Sequence, residues 1–165
     1  MRDIAAGLIA IALLVAAASL ATTLKTYRRR RERARDSERA LGRMIVAELP
    51  TGDGLVLFSE DRVRFHYGER SIDKDLIVAV RVLINGQAIA ATVSRRYARE
   101  AAARATTFED RPEGIARDRW DVAIETITGT VLVECGAIRE RVSQELARSV
   151  YDAVRRDIER RSASS

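Results

Sequence analysis

Residues 122–154 have the sequence VAIETITGTVLVECGAIRERVSQELARSVYDAV, and this stretch decides the fold. A run rich in β-branched residues, 120–127, ends at Thr128-Gly129, and a second such run, 130–135, follows it directly. Glycine between two such runs favours a tight hairpin turn. After Gly136, which ends the predicted sheet, the apolar residues take helical spacing. The stretch therefore predicts an antiparallel hairpin that leads into a closing helix.

The predicted closing helix carries one apolar stripe on a charged background. The residues of this stripe recur at helical spacing and are Ile138, Val142, Leu146, Val150, Val154 and Ile158. Opposite charges lie four residues apart on its other face, in the pairs Arg141 with Glu145, Asp152 with Arg156 and Arg155 with Glu159. This pattern predicts a helix with one buried and one solvated face. We expect it to reach about residue 160, with residues 162–165 as a disordered tail.

The sequence predicts further short strands before this unit. They are residues 44–49, 55–58, 62–67, 76–84 and 87–90. Asn85-Gly86 lies between the last two runs and favours a type I′ turn, because both central residues need positive φ. The strand 62–67 alternates strictly. Its inner face is predicted to hold Val63, Phe65 and Tyr67, and its outer, solvated face Arg62, Arg64 and His66.

Residues 93–118 interrupt the strand pattern. An Ala- and Arg-rich segment, 94–105, predicts a short helix capped by Ser94, and residues 106–118 resemble a loop around Pro112. The strands come first and the long helix last, which argues against a parallel α/β plan. The sequence thus predicts an α+β domain of about six or seven mostly antiparallel strands, closed by an amphipathic helix.

This arrangement resembles the pleckstrin-homology-like (PH-like) superfold, in particular small bacterial PH-like and GRAM-like domains beside membrane spans. The resemblance is carried by GLVLFSEDRVRFHYG at 54–68, SIDKDLIVAVRV at 71–82 and the unit at 122–154. It implies a PH-like domain over residues 44–161, with 93–118 as an insertion, and the closing helix departs from the family in having no Trp.

The family's inositol-lipid sites do not transfer to this sequence. In some family members those sites lie on a basic loop between early strands. The corresponding turn here is Ser59-Glu60-Asp61-Arg62, which is acidic. The resemblance therefore implies a fold and no phosphoinositide ligand.

Residues 4–24 form an uncharged segment of nine large aliphatic residues, eight Ala, Gly7, Ser19, Thr22 and Thr23. As a helix, with ~1.5 Å rise per residue, this segment is about 31 Å long, close to the hydrocarbon thickness of a bilayer. The sequence therefore predicts a single transmembrane helix over residues 4–24. Two alternatives stay open.

The first alternative is a cleaved export signal, because Ala16 and Ala18, or Ser19 and Ala21, have the small-x-small spacing of a cleavage site. The second is a pilin-like or buried helix. Against both stands the dense positive charge directly after the apolar segment.

A basic block follows the apolar segment, in a charged juxtamembrane stalk over residues 25–43. The residues predicted to lie at the membrane interface, in contact with headgroups of anionic lipids, are Lys25, Tyr27, Arg28, Arg29, Arg30, Arg31, Arg33 and Arg35. Positive residues near a span stay in the cytoplasm. We therefore predict a single-pass protein of the inner (plasma) membrane, with its amino terminus outside and its domain cytoplasmic.

The basic block also accounts for the net charge of the chain. Its seven positive side chains against the single Glu32 give a local net of +6, so the remainder of a chain with total charge +5 carries −1. A nucleic-acid-binding domain would concentrate basic residues on its folded surface. The composition therefore gives no reason to predict a nucleic-acid partner.

Few residues are candidates for chemistry. His66 and Cys135 are the single His and Cys, and we expect a solvated or cross-strand-paired histidine and a buried, reduced thiol. Asp73 and Asp75 have the D-x-D spacing of some metal sites, but the spacing alone is common in turns. We predict no catalytic residue, no metal and no cofactor, and hence a chain that is not an enzyme.

Two functional classes remain, with a small enzyme as a third and weaker possibility. One is a non-catalytic interaction or assembly module on the cytoplasmic face of a bacterial inner membrane. The other is a single-span accessory subunit of a larger membrane complex, which small residues such as Gly7, Ala10 and Ala18 favour, because they allow close helix packing. Both imply the bilayer and a protein partner.

Overall fold

The computed structural model describes residues 2–51, 54–99 and 118–163, and in the first helix it describes side chains from residue 13 onward except at 17, 21 and 24. The chain forms helix α1, Arg2–Ala40, and later helix α2, Arg141–Ala163. Between them lie the strands β1 Met44–Thr51, β2 Gly54–Glu60, β3 Arg64–Tyr67, β4 Arg70–Asp73, β5 Ile77–Ile84, β6 Gln87–Val93, β7 Arg119–Thr126 and β8 Gly129–Ala137. In the described part of the chain, no helix is both long and apolar enough to cross a membrane.

The strands form two four-stranded antiparallel sheets. The first has the order β1-β2-β3-β4 and the second the order β6-β5-β7-β8. Hairpins join most neighbours, but β7 pairs with β5, so the connection after β6 passes over one strand. The predicted α+β class is confirmed. The additional strand relative to the prediction is β4, which is short and polar and buries one apolar residue, Ile72.

The hydrophobic core lies between the two sheets and α2. Phe58 of β2 and Phe65 of β3 stack with ring centroids 5.6 Å apart. They join Ile124 of the second sheet and Val150 and Val154 of α2 in one buried cluster. Because α2 contributes to this cluster, it is part of the fold and not an appendage.

The buried face of α2 differs from the predicted stripe in its first turns. Val142, predicted to be buried, is 62% exposed, while Ser143 and Ala147 face the core. The first turn packs Ser143 against Gly136 of β8, where an added Cβ would lie 2.5 Å from Ser143 Oγ, and this tertiary contact sets the rotation of the helix. The predicted pairs Arg141 with Glu145 and Arg155 with Glu159 are confirmed.

Other details of α2 also differ from the prediction. Asp152 pairs with Arg148 and Arg155 instead of Arg156. The helix continues through Ala163, beyond the predicted end near residue 160 and into the predicted tail. Residues 164–165 of that tail lie outside the described residues.

In the predicted strand 62–67, which forms β3 at Arg64–Tyr67, two residues lie on the wrong side. Val63 is 58% exposed because Asp61 Oδ1 accepts from the Val63 and Arg64 amides, and this turn holds Val63 outside the strand. His66, predicted to be solvated, is buried. It lies beside Ser59, whose hydroxyl donates to Glu38 of α1 at 2.5 Å, so the end of α1 covers this part of the outer face.

Of three predicted turns and caps, the structure confirms the one at Asn85-Gly86 and differs at Gly136 and Ser94. Asn85 and Gly86 both have positive φ, 53° and 77°, between β5 and β6, which confirms the type I′ prediction. Gly136 does not end the sheet; it lies inside β8 beside a register shift, with φ 111°. Ser94 precedes a 3-10 turn, Arg95–Tyr97, and makes no side-chain capping bond. Residues 100–117 lie outside the described residues. They include the rest of the predicted helix and all of the predicted loop except Asp118.

Candidate functional site

The residues predicted for the membrane interface all lie on α1, and the structure divides them into two groups. Arg31 Nη2 lies 2.5 Å from Glu48 Oε2 of β1, and Arg35 also pairs with this carboxylate. The others are exposed and have no ion pair among the described residues; they are Lys25, Tyr27, Arg28, Arg29, Arg30 and Arg33. Two arginines of the basic block therefore contact the domain, and its other residues are exposed to solvent.

Glu48 of β1 is the residue through which the domain pairs with the arginines of α1. Partial burial alone would raise the pKa of Glu48, but the hydrogen bonds and charges of Arg35 and Arg31 outweigh burial and lower that pKa. Glu48 is therefore ionised at neutral pH when α1 is docked. The carboxylate lies on β1, so the contact also fixes the direction of α1.

Helix α1 runs antiparallel to β1. Arg43, between the two elements, reaches back to Glu38 of α1 at 3.2 Å. Strand β1 then runs back along the helix, so that Glu48 lies beside Arg31, which is farther from the turn than Glu38. At ~1.5 Å rise per residue, Lys25 lies about 22 Å along the helix from Ala40. The end of β1 near Gly42 therefore lies farther along α1 from the apolar segment than Glu48 does.

A basic groove, which the sequence did not predict, lies near the Gly42 end of β1. It consists of two adjoining cavities, of about 690 Å³ and about 700 Å³. Both are lined by Lys74, Asp75, Arg96 and Arg161. Five separate segments build it: the turn between α1 and β1, the turn after β2, the 3-10 turn Lys74–Leu76, the 3-10 turn after β6, and the last turns of α2.

The floor of the basic groove is a fixed ion network around Lys74. Its Nζ donates to Glu60 Oε2 and to the Asp61 carbonyl, each at 2.7 Å, and lies 4.4 Å from the centre of the Phe65 ring. It also lies 3.9 Å from the buried Asp157. A buried ammonium needs such partners, because its desolvation is costly. We conclude that Lys74 supports the floor and is not available to a ligand.

Asp157 extends this network to the end of α2. Its two carboxylate oxygens lie 2.5 Å from Arg160 Nη2 and 2.7 Å from Arg161 Nε. Arg161 also pairs with Asp75 of the 3-10 turn Lys74–Leu76. These bonds join the last turn of α2 to the segment between the two sheets, and they give the groove a defined shape.

The acidic residues that line the basic groove are paired, whereas three arginines at its rim are not. Glu60 pairs with Lys74, Asp61 with His66 and Asp75 with Arg161. The exposed residues Arg62, Arg95 and Arg96 have no ion pair among the described residues, and Arg96 lies over the ring of Tyr97 at 5.6 Å. The rim therefore presents an excess of positive charge.

His66 and Asp61 form a pair at one edge of the groove. His66 Nε2 lies 2.8 Å from Asp61 Oδ2. The hydrogen bond from His66, with the Val63 and Arg64 amides, holds the pKa of Asp61 well below its usual range despite partial burial. Contrary to expectation, His66 is therefore neither solvated nor paired across the strand but bonded to a residue of the preceding turn, and the pair stabilises that turn.

Cys135 is buried, as predicted, and its thiol is held in the protonated form. Burial, with a smaller contribution from the Asp121 charge, raises the pKa of Cys135 to about 12. The thiolate is the reactive form of cysteine. Cys135 is therefore a packing residue of β8.

A second buried ionic cluster lies on the other face of the second sheet. Arg81 pairs with the fully buried Glu125 at 2.6 Å, and Arg119 lies 2.8 Å from Asp121. Burial raises the pKa of Asp121 in spite of the Arg119 charge. These arginines already have carboxylate partners, so the cluster is best explained as an internal ion-pair network.

The D-x-D sequence has a structural use. Asp73 Oδ1 accepts from the Asp75 amide at 3.0 Å and so caps the 3-10 turn that carries Lys74. Within the described ranges there is no group of three side chains suited to hold a metal ion.

Comparison with known proteins gave no match to the chain among protein-family models, curated proteins or solved structures. The functional proposal therefore rests on the residues and their geometry. Sequence reasoning missed the basic groove because its residues come from five separate segments. The one local indication was the adjacent pair Arg95-Arg96 directly after a strand.

Proposed function

We propose that this chain is a non-catalytic interaction module anchored in the cytoplasmic face of a bacterial inner membrane, with a PH-like domain held on a helical stalk. The observation that carries the proposal is the continuity of α1. One helix, Arg2–Ala40, joins the uncharged segment 4–24 to the point where Arg31 and Arg35 pair with Glu48. An anchor connected in this way would hold the domain at a fixed distance from the bilayer.

The exposed part of the basic block supports the anchored arrangement. Lys25, Arg28, Arg29, Arg30 and Arg33 follow the apolar segment directly. Basic residues there keep the following domain in the cytoplasm. They also attract anionic lipid headgroups, with about 1 kcal/mol for each residue near the surface.

The architecture supports the PH-like assignment. Two antiparallel sheets, built largely from consecutive hairpins, pack against a carboxyl-terminal helix that completes the core. The four-residue strand β4 and the segment between β6 and β7 are the departures from the expected strand pattern.

The condition of the reactive residues supports a non-catalytic role. His66 is buried and bonded to Asp61, and Cys135 is buried with a raised pKa. General acid-base and nucleophilic catalysis need an accessible group with a suitable pKa. His66 is not accessible, and Cys135 is buried and held as a thiol.

Alkaline carbonate extraction of membranes tests the anchor. The full chain is expected to remain in the membrane pellet, because a spanning helix does not depend on charge for attachment. A variant with Arg28, Arg29, Arg30 and Arg31 replaced by Gln should also remain in the pellet but should lose its uniform orientation. Release of the unaltered chain into the carbonate supernatant would refute the anchor.

The Ala-rich composition of residues 4–24 favours a second candidate, a single-span accessory subunit of a membrane complex. Gly7, Ala10 and Ala18 would allow another transmembrane helix to approach closely. Extraction in a mild detergent followed by native size analysis separates the two candidates. A stable large assembly would favour the subunit, and a monomer or homodimer the interaction module.

A further inference from the structure

We propose that the basic groove binds an acidic peptide segment of a cytoplasmic protein partner. The inference deepens the proposed function, on which it rests for the position of the membrane. It starts from the charge at the rim: Arg62, Arg95 and Arg96 are exposed and unpaired among the described residues, whereas the acidic residues beside them are neutralised. Carboxylates are the natural partners of guanidinium groups, since both can form two parallel hydrogen bonds.

The shape of the groove suits an extended segment. Its two cavities share a central set of residues and continue to either side, toward Gly42 and Met44 in one direction and toward Ser94 and Ser162 in the other. Ile77, Ile158 and Tyr97 add apolar surface to one half. A peptide with carboxylates and one or two apolar side chains would match both the charge and the lining.

The position of the groove argues against a lipid headgroup as its occupant. The groove lies at the Gly42 end of the domain, while Lys25 marks the membrane end of the stalk. The helix between them is about 22 Å long, well beyond a Debye length of about 8 Å at physiological ionic strength. Headgroups of the anchoring membrane therefore contact the basic block and leave the groove to soluble partners.

The modest charge of the groove argues against nucleic acid. Three unpaired arginines interspersed with paired carboxylates offer few phosphate contacts, whereas nucleic-acid sites align many cations along a backbone. Three arginines are enough to pair with a short run of carboxylates in a peptide.

The test uses the full chain in nanodiscs of phosphatidylcholine and a fluorescein-labelled hexaglutamate peptide, with binding followed by fluorescence anisotropy. The double variant R95E/R96E reverses two rim charges. The matched control R148E/R156E makes the same change in net charge on the exposed face of α2. We expect R95E/R96E to weaken binding about tenfold or more and the control to weaken it less than about twofold.

Equal weakening by both variants, or no weakening by R95E/R96E, would overturn the proposal, because binding would then reflect net charge or the basic block. Tighter binding of a single-stranded oligonucleotide than of hexaglutamate would also overturn it, as would R95E/R96E-sensitive binding to vesicles that contain phosphatidylglycerol. Circular dichroism of each variant checks the fold. If the anchor alone were wrong, carbonate would release the chain from membranes while the chain still bound hexaglutamate, so the two failures can be told apart.

Discussion

The two helices of this protein are held in opposite ways. Helix α2 buries Val150, Val154 and Ile158 in the core between the sheets. The described part of α1 is mostly exposed and meets the domain through charged and polar side chains, chiefly those that pair with Glu48. Apolar burial is not screened by salt, whereas exposed ion pairs are. We infer that α2 belongs to the folding unit and that α1 is a stalk whose docking can be loosened.

The largest expected effect is the loss of the fold when a charge enters the buried face of α2. Val154→Asp should destabilise the domain by about 4 kcal/mol or more, because it buries an unpaired carboxylate. Val142→Asp on the exposed side of the same helix should cost less than about 0.5 kcal/mol. Urea unfolding of the full chain in detergent, followed by circular dichroism, measures both. Similar losses would contradict the helix orientation described above.

The next contrast is between Gly136, which precedes α2, and Gly42, which follows α1. An added Cβ at Gly136, before α2, would lie 2.5 Å from Ser143 Oγ, and the residue has φ 111°. Gly42, after α1, has φ 71° but no neighbour within 4 Å of an added Cβ. We expect Gly136→Ala to cost about 2 to 3 kcal/mol and Gly42→Ala about 1 kcal/mol. The same unfolding measurement compares them, and a larger loss for Gly42→Ala would contradict the packing at Gly136.

Removing the Glu48 charge should release α1 without unfolding the domain. Glu48→Gln is expected to weaken docking by about 1 kcal/mol, and tryptic cleavage within residues 28–39 should become about fivefold faster. The matched control is Glu145→Gln, which removes an exposed pair on α2. High salt should speed cleavage of the unaltered chain and have less effect on Glu48→Gln. An unchanged cleavage rate in Glu48→Gln would show that the ion pairs do not hold the stalk.

The smallest effect concerns Asp61, beneath the rim of the basic groove, and it depends on pH. Because the pKa of Asp61 is lowered in the folded state, its ionised form stabilises the protein above the ordinary aspartate pKa, and this contribution is lost as pH falls toward the folded-state pKa. Asp61→Asn should therefore be less stable than the unaltered chain at pH 7, and the difference should shrink below about pH 4. A difference independent of pH would argue against this role.

Local sequence patterns predicted those parts of the fold that local physics decides. Asn85-Gly86 set a type I′ hairpin because positive φ is a property of those two residues. The apolar stripe fixed the existence of α2, although Val142 shows that its rotation needed tertiary contacts. The strand β4 escaped prediction because a four-residue polar segment has no usable periodicity.

The candidate site was much less predictable than the fold. Lys74, Arg96 and Arg161 are far apart in the sequence and meet only because the topology brings their turns to one end of the domain. His66 was expected in solvent because alternation shows which face a residue takes but not what covers that face, and here α1 covers it. Only the basic block, a continuous run, was evident from sequence.

The most direct test of the anchored arrangement is cysteine labelling in intact cells with a membrane-impermeant maleimide. Cys135 is buried and its pKa is raised to about 12, so the unaltered chain should remain unlabelled. Variants Asp3→Cys and Ser165→Cys place one thiol at each end of the chain. The account predicts labelling of Asp3→Cys in intact cells and of Ser165→Cys only after the membrane is permeabilised. Labelling of Ser165→Cys in intact cells would contradict it.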